Sequence, residues 1–572
     1  MVEGLPPGFP PVRAANPAGL ERVPDLGGVG VVLVRLLGGR RAWEEPFDDL
    51  RRRCLAGGVP LLAFGGEAAP DAELTALSTA PAATVAQAFE YLVHGGLANT
   101  EHLLRFVADT VLMGGFGFEP PVPVPAHGVL AGYDGGDGGP VVGVVFYRAH
   151  LLSGNTRFVE DLCASLAARG ATPVPVWCYS LRPGPDGRVP ALDLLAERKV
   201  DVVVTTVLAM GSARDDEWDA SALAALDVPV LQAVAATRPC EEWQAGAAGL
   251  GPLDVAMSVA IPEFDGRIVG PPFSFKEVVD DGDELGAPVV AYRALADRCE
   301  RVTGLAVRLA ALRQRANADK RVALVLSAYP TRRSRIGNAV ALDTPASVIA
   351  LLHALRQAGY RVDRIPADGD ALMTELADAL TYDRESLSPA QAEVAAGRWP
   401  GKPYATWFAT LPRALQEAVT AAWGPPPGDV YRDAGSGDLL FPGLDLGGVL
   451  VAVQPPRGFG ENPVAVYHSP DLAPTHHYLG FYRWLDQAWE ADAVVHVGKH
   501  GTLEWLPGKG VGLSAACAPD AALGDLPLVY PFVVNDPGEG TQAKRRAHAV
   551  VVDHLVPPLT RADTYDDLAR LE

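Results

Sequence analysis

The distribution of hydrophobic residues along the chain predicts short buried strands that alternate with helices. Continuous apolar runs, such as 141–147 (VVGVVFY) and 321–327 (RVALVLS), are typical of parallel strands covered on both faces. Similar runs predict further strands at residues 31–34, 60–64, 172–178, 201–207, 228–234, 449–453 and 493–497. The alternation predicts an α/β fold: a multidomain chain of parallel-sheet, Rossmann-like modules with inserted helical segments.

Apolar residues spaced by three and four predict the helices between these strands. The predicted helices cover residues 84–91, 155–169, 192–198, 292–318, 345–358, 477–490 and 540–555. Gly359 follows one of them and is expected to cap it.

Proline- and glycine-rich segments mark the expected domain boundaries. Residues 119–125 (EPPVPVP) are stiff and extended, and 132–140 (GYDGGDGGP) follow closely. We therefore predict three units: an α/β domain at 1–128, a flavodoxin- or Rossmann-like domain at 129–318, and a third domain at 319–572. The last residues (TYDDLARLE) continue a helical pattern without a Gly or Pro, so we expect the third domain to be truncated.

Composition and charge narrow the classes of partner. The formal net charge of −21 disfavours nucleic acid as a partner. No run approaches the roughly 18 apolar residues of a membrane span, and the N-terminus lacks the pattern of a signal peptide. The six cysteines are scattered without a CxxC pair, which favours a reducing, cytoplasmic location over a disulfide framework.

Histidines are concentrated near the end of the chain. Seven of the twelve lie between His468 and His554, which suggests metal or proton chemistry there. His496, His500 and Glu504 are spaced by four and would share one face of a continuous helix, as zinc ligands do. However, Gly498 and Gly501 favour a strand followed by a tight turn, which places these residues where open α/β sheets build sites. The alternative to a metal or proton site is that a histidine caps a helix and the glutamate lies on the surface.

A second segment with possible chemistry is 535–546 (NDPGEGTQAKRR). A glycine-bearing turn enters a helix that carries Lys544, Arg545 and Arg546, which suggests an anion site. Taken alone, the segment favours a capped helix with a solvated basic face. The chain contains no GxxxxGK[ST] motif, so no ATP-binding P-loop is predicted, and it contains no GxSxG motif.

Two long motifs resemble a known family. Residues 496–514 (HVGKHGTLEWLPGKGVGLS) and 530–558 (YPFVVNDPGEGTQAKRRAHAVVVDHLVPP) are similar to the large subunits of aerobic cobaltochelatases of the CobN type, a family that includes the large subunit of magnesium chelatase. Supporting stretches are 153–182, 335–362 and 467–485. LEW-LPGK and NDPGEGTQ resemble the cobalt branch, whereas the magnesium branch tends to LEF-MPGK and NNPSEATI. Family members continue beyond the point where this chain stops, which strengthens the expectation of truncation.

The resemblance implies ATP-driven insertion of Co(II), the metal substrate, into hydrogenobyrinic acid a,c-diamide during cobalamin biosynthesis. It implies two partner subunits: an AAA+ ATPase that hydrolyses ATP with Mg²⁺, and a second small subunit. The tetrapyrrole and metal are bound by the large subunit. The enzyme would be a ligase that forms coordination bonds, active only with its partners.

The resemblance also suggests roles for individual residues. Glu504 is the expected general base or metal-delivery carboxylate, and His496 and His500 are expected to relay metal or accept protons. The expected substrate-binding residues are His468, His476, His477, Lys544, Arg545 and Arg546. Trp505 is expected in the core, with stacking on the macrocycle as the alternative.

Three other functions remain open from the sequence. The first is a magnesium-chelatase-like subunit that acts on a porphyrin, which the motif variants disfavour. The second is a non-catalytic tetrapyrrole- or metal-binding fragment. The third is an unrelated metal-dependent hydrolase built on His496, His500 and Glu504.

Overall fold

The structure, a computed structural model, is a mixed α/β protein with largely parallel sheets, as the sequence predicts. It describes residues 4–20, 22–133, 138–184, 186–208, 212–214, 217–282, 285–327, 342–379, 382, 392–433, 435–458, 469–498, 501–533 and 537–554. The described strands fall into two large sheets and three two-stranded ones.

A small N-terminal unit contains two parallel strands, β1 (Val32–Leu36) and β2 (Leu61–Gly65). Its helices are α1 (Glu44–Gly57), α2 (Ala72–Leu77), α3 (Ala82–His94) and α4 (Leu97–Val111). Helices pack on both faces of the two strands, because one cluster of buried side chains includes Phe47 and another includes Phe106.

A seven-stranded sheet follows. Its strands are β3 (His127–Val129), β4 (Val141–Tyr147), β5 (Thr172–Cys178), β6 (Val202–Thr205), β9 (Val230–Ala236), β10 (Ile268–Asp280) and β11 (Val289–Ala294), with β7 (Ser212–Arg214) and β8 (Glu217–Asp219) forming a separate ribbon. The parallel strands lie in the order β5, β4, β6, β9, β10, and β3 and β11 are antiparallel edges. This is the 2-1-3-4-5 order of flavodoxin-like sheets.

The helices of this part of the chain cover the sheet. They are α5 (Arg148–Leu152), α6 (Arg157–Ala168), α7 (Pro190–Glu197), α8 (Ser221–Ala224), α9 (Cys240–Ala245), α10 (Pro252–Val255), α11 (Ile261–Glu263) and α12 (Ala296–Gln314). A single π-helical turn, Ala256–Ala260, joins α10 to α11.

A six-stranded sheet forms the last part of the described chain. It contains β12 (Val322–Leu326), β15 (Gly443–Asp445), β16 (Val449–Val453), β17 (Ala493–Val497), β18 (Leu528–Val533) and β19 (Val550–His554), while β13 (Gly397–Trp399) and β14 (Leu439–Phe441) pair separately. The parallel strands lie in the order β16, β12, β17, β18, β19, which is again 2-1-3-4-5. The described helices here are α13 (Thr344–Gln357), α14 (Gly369–Asp378), α15 (Gly401–Phe408), α16 (Arg413–Trp423), α17 (His476–Gln487), α18 (Ala518–Leu523) and α19 (Pro537–Ala547).

Two of the predicted helices are wrong in part. The segment predicted as helix from residue 292 begins in β11, and α12 starts only at Ala296, because residues 289–294 pair with β10. The helix predicted over 540–555 ends at Ala547, where His548 has a φ of 41°, outside the helical region. Residues 550–554 then pair with β18 as a parallel strand.

Charged side chains join the parts of the chain that carry the two large sheets. Arg298 and Arg301 on α12 donate hydrogen bonds to Asp520 on α18, each at 3.0 Å, and Arg301 also pairs with Asp525 at 2.8 Å. On α19, Arg545 pairs with Glu263 at 2.7 Å. These ion pairs are largely buried and connect the two parts of the chain.

No helix in the described residues is both long enough and apolar enough to cross a membrane.

Candidate active site at the carboxyl edge of the six-stranded sheet

The carboxyl ends of β12, β16 and β17 meet at one edge of the six-stranded sheet. The chain enters this sheet at β12, adds β16 on one side, and later returns to add β17 on the other. The point between β12 and β17 is therefore a topological switch point, where connections leave in opposite directions and open α/β sheets bind ligands. The residues that follow the three strands are Ser327, Gln454 and Gly498.

Ser327 and Gly498 bring the two central strand ends close together. The Ser327 amide donates to the Val497 carbonyl at 3.2 Å. A Cβ atom at position 498 would lie 2.2 Å from the Ser327 hydroxyl, and Gly498 has a φ of 126°. Both the close approach and the backbone conformation require glycine at this position.

Buried tyrosines from α17 reach this edge of the sheet. Thr475 caps the helix by accepting from the Tyr478 amide, and Tyr478 and Tyr482 lie on one face because they are four residues apart. The Tyr482 hydroxyl lies 3.0 Å from His496 Nε2 and accepts from Gln454 Nε2 at 3.0 Å. The Tyr478 hydroxyl lies 2.9 Å from the hydroxyl of Thr502.

Glu504 is buried within this group. It lies on a 3₁₀ turn, Leu503–Trp505, and is 1 % exposed. A Cβ atom at position 501 would lie 2.7 Å from Glu504 Oε1, so the carboxyl group packs against Gly501. The Gly501 amide donates to the Tyr530 hydroxyl at 3.0 Å.

The negative charge of Glu504 affects the pKa of the surrounding tyrosines. Burial raises the pKa of Tyr478, Tyr482 and Tyr530, and the negative charge of Glu504 adds to each rise in pKa. The phenols therefore stay protonated at neutral pH and can donate hydrogen bonds towards a carboxylate or another anion.

His496 is a neutral base at the same edge. Burial lowers its pKa to about 4, so the imidazole is uncharged at pH 7. Its ring makes an edge contact with Tyr530, with 5.8 Å between the ring centroids. No hydrogen-bond partner for Nδ1 is found among the described residues, and this nitrogen is buried. A neutral imidazole can accept a proton or bind a metal ion.

The structure gives His476 and His477 internal partners. His476 lies between the Tyr404 hydroxyl at 2.8 Å and the Gly424 carbonyl at 2.9 Å. His477 Nε2 lies 2.7 Å from the Leu440 carbonyl, and burial lowers its pKa to about 4. Both rings are buried at the start of α17, so these contacts favour a structural role, and substrate binding by them stays a prediction.

The cations on α19 also have internal contacts. Arg545 pairs with Glu263, as described above. Arg546 donates to the carbonyl oxygens of Glu504 at 2.5 Å, Leu506 at 2.7 Å and Lys509 at 3.0 Å, and so holds the turn that carries Glu504. Lys544 is half-buried. Of these cations, Arg546 supports the site from within the protein, and contact of Lys544, Arg545 and Arg546 with substrate carboxylates stays a prediction.

Two predicted site residues, His468 and His500, lie outside the described residues. Among the residues that are described, no three His, Cys, Asp or Glu side chains come together as a metal-binding group. The structure does bring His496 and Glu504 to one site, because both neighbour Tyr482 and Tyr530.

Sequence reasoning missed the tyrosines, Gln454 and Arg457. Arg457 is 1 % exposed and donates to the carbonyls of Trp505 at 3.2 Å and Ser469 at 2.6 Å. The one sequence feature that could have indicated the tyrosines is the i, i+4 spacing of Tyr478 and Tyr482 next to two histidines. No such feature indicates Gln454 or Arg457. The expected core position of Trp505 is wrong: its side chain is 39 % exposed, because the turn directs Leu503 and Glu504 inward instead.

Comparison with known proteins confirms the family resemblance. The sequence model of the CobN/magnesium chelatase family matches residues 89–572. The chain belongs to the CobN/magnesium chelatase family. It is 42% identical to the aerobic cobaltochelatase subunit CobN of Pseudomonas aeruginosa, over 99% of this chain and 46% of that protein. It is 31% identical to the H-type subunit of the magnesium chelatase of Rhodobacter capsulatus, over 75% of this chain and 36% of that protein.

A solved structure supports the fold. The catalytic subunit of cobaltochelatase from Mycobacterium tuberculosis is 52% identical and superimposes with a TM-score of 0.81, over 96% of this chain and 46% of that chain. This chain of the CobN/magnesium chelatase family therefore spans less than half the length of these relatives.

Proposed function

We propose that this chain carries metal- and macrocycle-handling residues of the large subunit of an ATP-dependent cobaltochelatase, which inserts Co(II) into hydrogenobyrinic acid a,c-diamide. Identity to CobN extends over nearly the whole chain, whereas identity to the magnesium-chelatase relative is lower and covers three quarters of it. The LEW-LPGK and NDPGEGTQ variants of the motifs also favour cobalt.

The observation that carries the mechanism is that the buried Glu504 carboxyl group and neutral His496 share Tyr482 and Tyr530 as neighbours at the switch point. Insertion of Co(II) into this corrin macrocycle removes one ring N–H proton, because the corrin ligand carries a single negative charge, and it strips water from the incoming ion. Glu504 can accept this proton or bind the incoming Co(II), and the neutral ring of His496 is a second possible acceptor. The buried phenols can orient the polar groups of this site, because the Tyr482 hydroxyl joins His496 to Gln454 and the Tyr478 hydroxyl lies beside that of Thr502.

The energy source is proposed to lie outside this chain, because the sequence has no P-loop. An AAA+ ATPase subunit and a second small subunit would hydrolyse ATP with Mg²⁺ and drive the insertion. We place the complex in the cytoplasm, where the scattered cysteines stay reduced.

The test is ATP-dependent cobalt insertion by the full chain reconstituted with both small subunits, followed by the absorbance change of the macrocycle. We expect Glu504→Gln to lower the rate by about 100-fold or more, since a positioned proton acceptor contributes about 10²–10⁴-fold. His500→Ala, tested alongside, assesses the predicted relay role of that residue.

The matched control is Asp254→Asn, a buried carboxyl that accepts from the Thr237 amide at the seven-stranded sheet. This variant should keep the rate per folded molecule within about twofold. A wild-type complex that inserts Mg²⁺ into a porphyrin and not Co(II) into the corrinoid would replace the proposed function. Full activity of Glu504→Gln would remove Glu504 from the mechanism.

A further inference from the structure

The most exposed tryptophan of the chain adjoins the buried carboxyl group of the candidate site. All ten tryptophans lie in described residues, and nine of them are buried or half-buried. Trp505 is 39 % exposed, although its neighbour Glu504 is 1 % exposed. Adjacent Cα atoms lie about 3.8 Å apart, so the indole begins within one residue of the buried acid.

The backbone around Trp505 is held in place from two sides. Arg457 donates to the Trp505 carbonyl at 3.2 Å, and Arg546 donates to the carbonyls on either side, Glu504 and Leu506. Arg457 is 1 % exposed and Arg546 is 8 % exposed, so both guanidinium groups are parts of the interior. Leu503 and Leu506, which flank the pair, are fully buried. The exposed indole therefore stands on a rigid turn.

An exposed indole on a rigid turn has a chemical use. A planar aromatic surface binds another planar conjugated surface through stacking, and the loss of conformational entropy is small because the turn is already ordered. A tetrapyrrole presents a large planar conjugated face whose edge carries polar groups. The same turn would then supply a surface that holds the face of the ring, next in sequence to the acid of the candidate site.

We propose that Trp505 is a binding residue that stacks on the flat face of the macrocycle at the turn that also carries Glu504. The inference rests on the proposed function, since it requires a tetrapyrrole at this edge of the sheet. It assigns Trp505 to substrate affinity, and leaves proton and metal transfer to Glu504 and His496.

The experiment measures binding of hydrogenobyrinic acid a,c-diamide to the full chain by calorimetry, without ATP or small subunits. We expect Trp505→Leu to weaken the dissociation constant about tenfold, which corresponds to about 1.4 kcal/mol. Trp505→Phe keeps an aromatic face and should weaken binding by no more than about threefold. In the reconstituted complex, Trp505→Leu should raise KM and leave kcat within about twofold.

Tyr179→Leu is the matched control. Tyr179 is an aromatic residue, 77 % exposed, that directly follows β5 at the carboxyl edge of the other large sheet. Its replacement should leave the dissociation constant unchanged. A second readout is acrylamide quenching: bound macrocycle should shield the exposed tryptophan in the wild-type chain, and this shielding should be absent from Trp505→Leu.

The outcomes separate the inference from the proposed function. If the wild-type chain and its complex neither bind nor metallate the macrocycle, the proposed function fails. If the wild type binds and Trp505→Leu binds equally well, the stacking role alone fails. If Trp505→Leu loses binding together with a clear fall in Tm, and Trp505→Phe restores neither, the indole is a packing residue and the inference is again overturned.

Discussion

The two large sheets share one parallel strand order, and their carboxyl edges carry very different side chains. In the seven-stranded sheet the switch point lies between β4 and β6, and in the six-stranded sheet it lies between β12 and β17. By topology alone, each edge offers a place for a ligand.

At the switch point of the seven-stranded sheet, the polar side chains are hydrogen-bonded to one another and to the backbone. Arg267 donates to the carbonyls of Val207 at 2.7 Å and Leu208 at 3.1 Å, just beyond β6, and pairs with Asp265 at 2.7 Å. The Tyr147 hydroxyl, at the end of β4, accepts from the Leu208 amide at 3.1 Å. The side chains of Arg267 and Asp265 are fully buried, so this edge is closed by an ion pair.

At the six-stranded sheet, the buried polar groups can take part in proton chemistry. Glu504 and neutral His496 adjoin three phenols, and the arginines lie behind the turn and bind its carbonyl oxygens. The comparison teaches that strand order provides a location and that residue types at the strand ends decide its use. The predictions below test that difference.

The largest expected effect is on stability against acid. Burial lowers the pKa of His477 and His496 to about 4, and burial with the charge of Arg301 lowers that of His548 to about 3. In the other region, burial lowers the pKa of His150 to about 4. In the folded chain the pKa of each of these histidines lies below its value of about 6.5 in the unfolded chain. Between the folded and the unfolded pKa, the unfolded chain therefore binds more protons than the folded one. Stability is present above about pH 6.5 and is lost as pH falls towards 4, by about 1.4 kcal/mol per pH unit for each histidine.

Burial also lowers the pKa of His476, so among the described residues four such histidines lie with the six-stranded sheet and one with the seven-stranded sheet. We therefore expect the six-stranded region to open first as the pH falls. Hydrogen exchange at pH 7.5 and pH 5, corrected for intrinsic rates, should show protection lost earlier in β12 and β17 than in β4 and β6. Equal loss in both sheets would contradict the difference. In His496→Gln, the pH slope of the free energy of unfolding should fall by about one proton.

The next effect concerns the closed edge. Arg267→Met leaves Asp265 buried without its cation, so we expect the free energy of unfolding to fall by about 3–5 kcal/mol. We expect cobalt insertion per folded molecule to stay unchanged, because this edge carries none of the residues proposed for the reaction. Denaturant titration measures the free energy of unfolding, and the assay of the reconstituted complex measures the rate of cobalt insertion. A variant with wild-type stability and lost activity would show that the seven-stranded edge is functional.

The smallest expected effects follow from the removal of one hydroxyl group in each of the two sheets. Tyr482→Phe removes the group that joins Gln454 to His496, and should cost about 1–3 kcal/mol and lower the insertion rate about tenfold. Tyr147→Phe removes the acceptor for the Leu208 amide, and should cost about 1 kcal/mol with no change in rate. Thermal unfolding and the insertion assay on both variants provide the comparison. Identical rates for the two variants would mean that the orientation of His496 does not matter.

Local patterns predicted much of the fold. Buried strands such as 141–147 and 493–497 were predicted from continuous apolar runs and appear with these bounds. The helix predicted from residue 155 begins two residues later. Strand β19 and the start of α12 were missed, because both depend on pairing that a helical pattern does not reveal. Residues 289–294 pair with β10, and residues 550–554 pair with β18 after the positive φ of His548 ends the helix.

The sequence alone determined the α/β class and the family, because these depend on runs and motifs that are continuous in the chain. It also predicts a site in the segment around Glu504. Tertiary structure decided which side chains meet there. Tyr482, His496 and Tyr530 come from α17, β17 and β18, and only the order of strands brings them together. It also decided that His477 faces the Leu440 carbonyl and that Trp505 is exposed, since burial depends on what the rest of the chain packs against each residue.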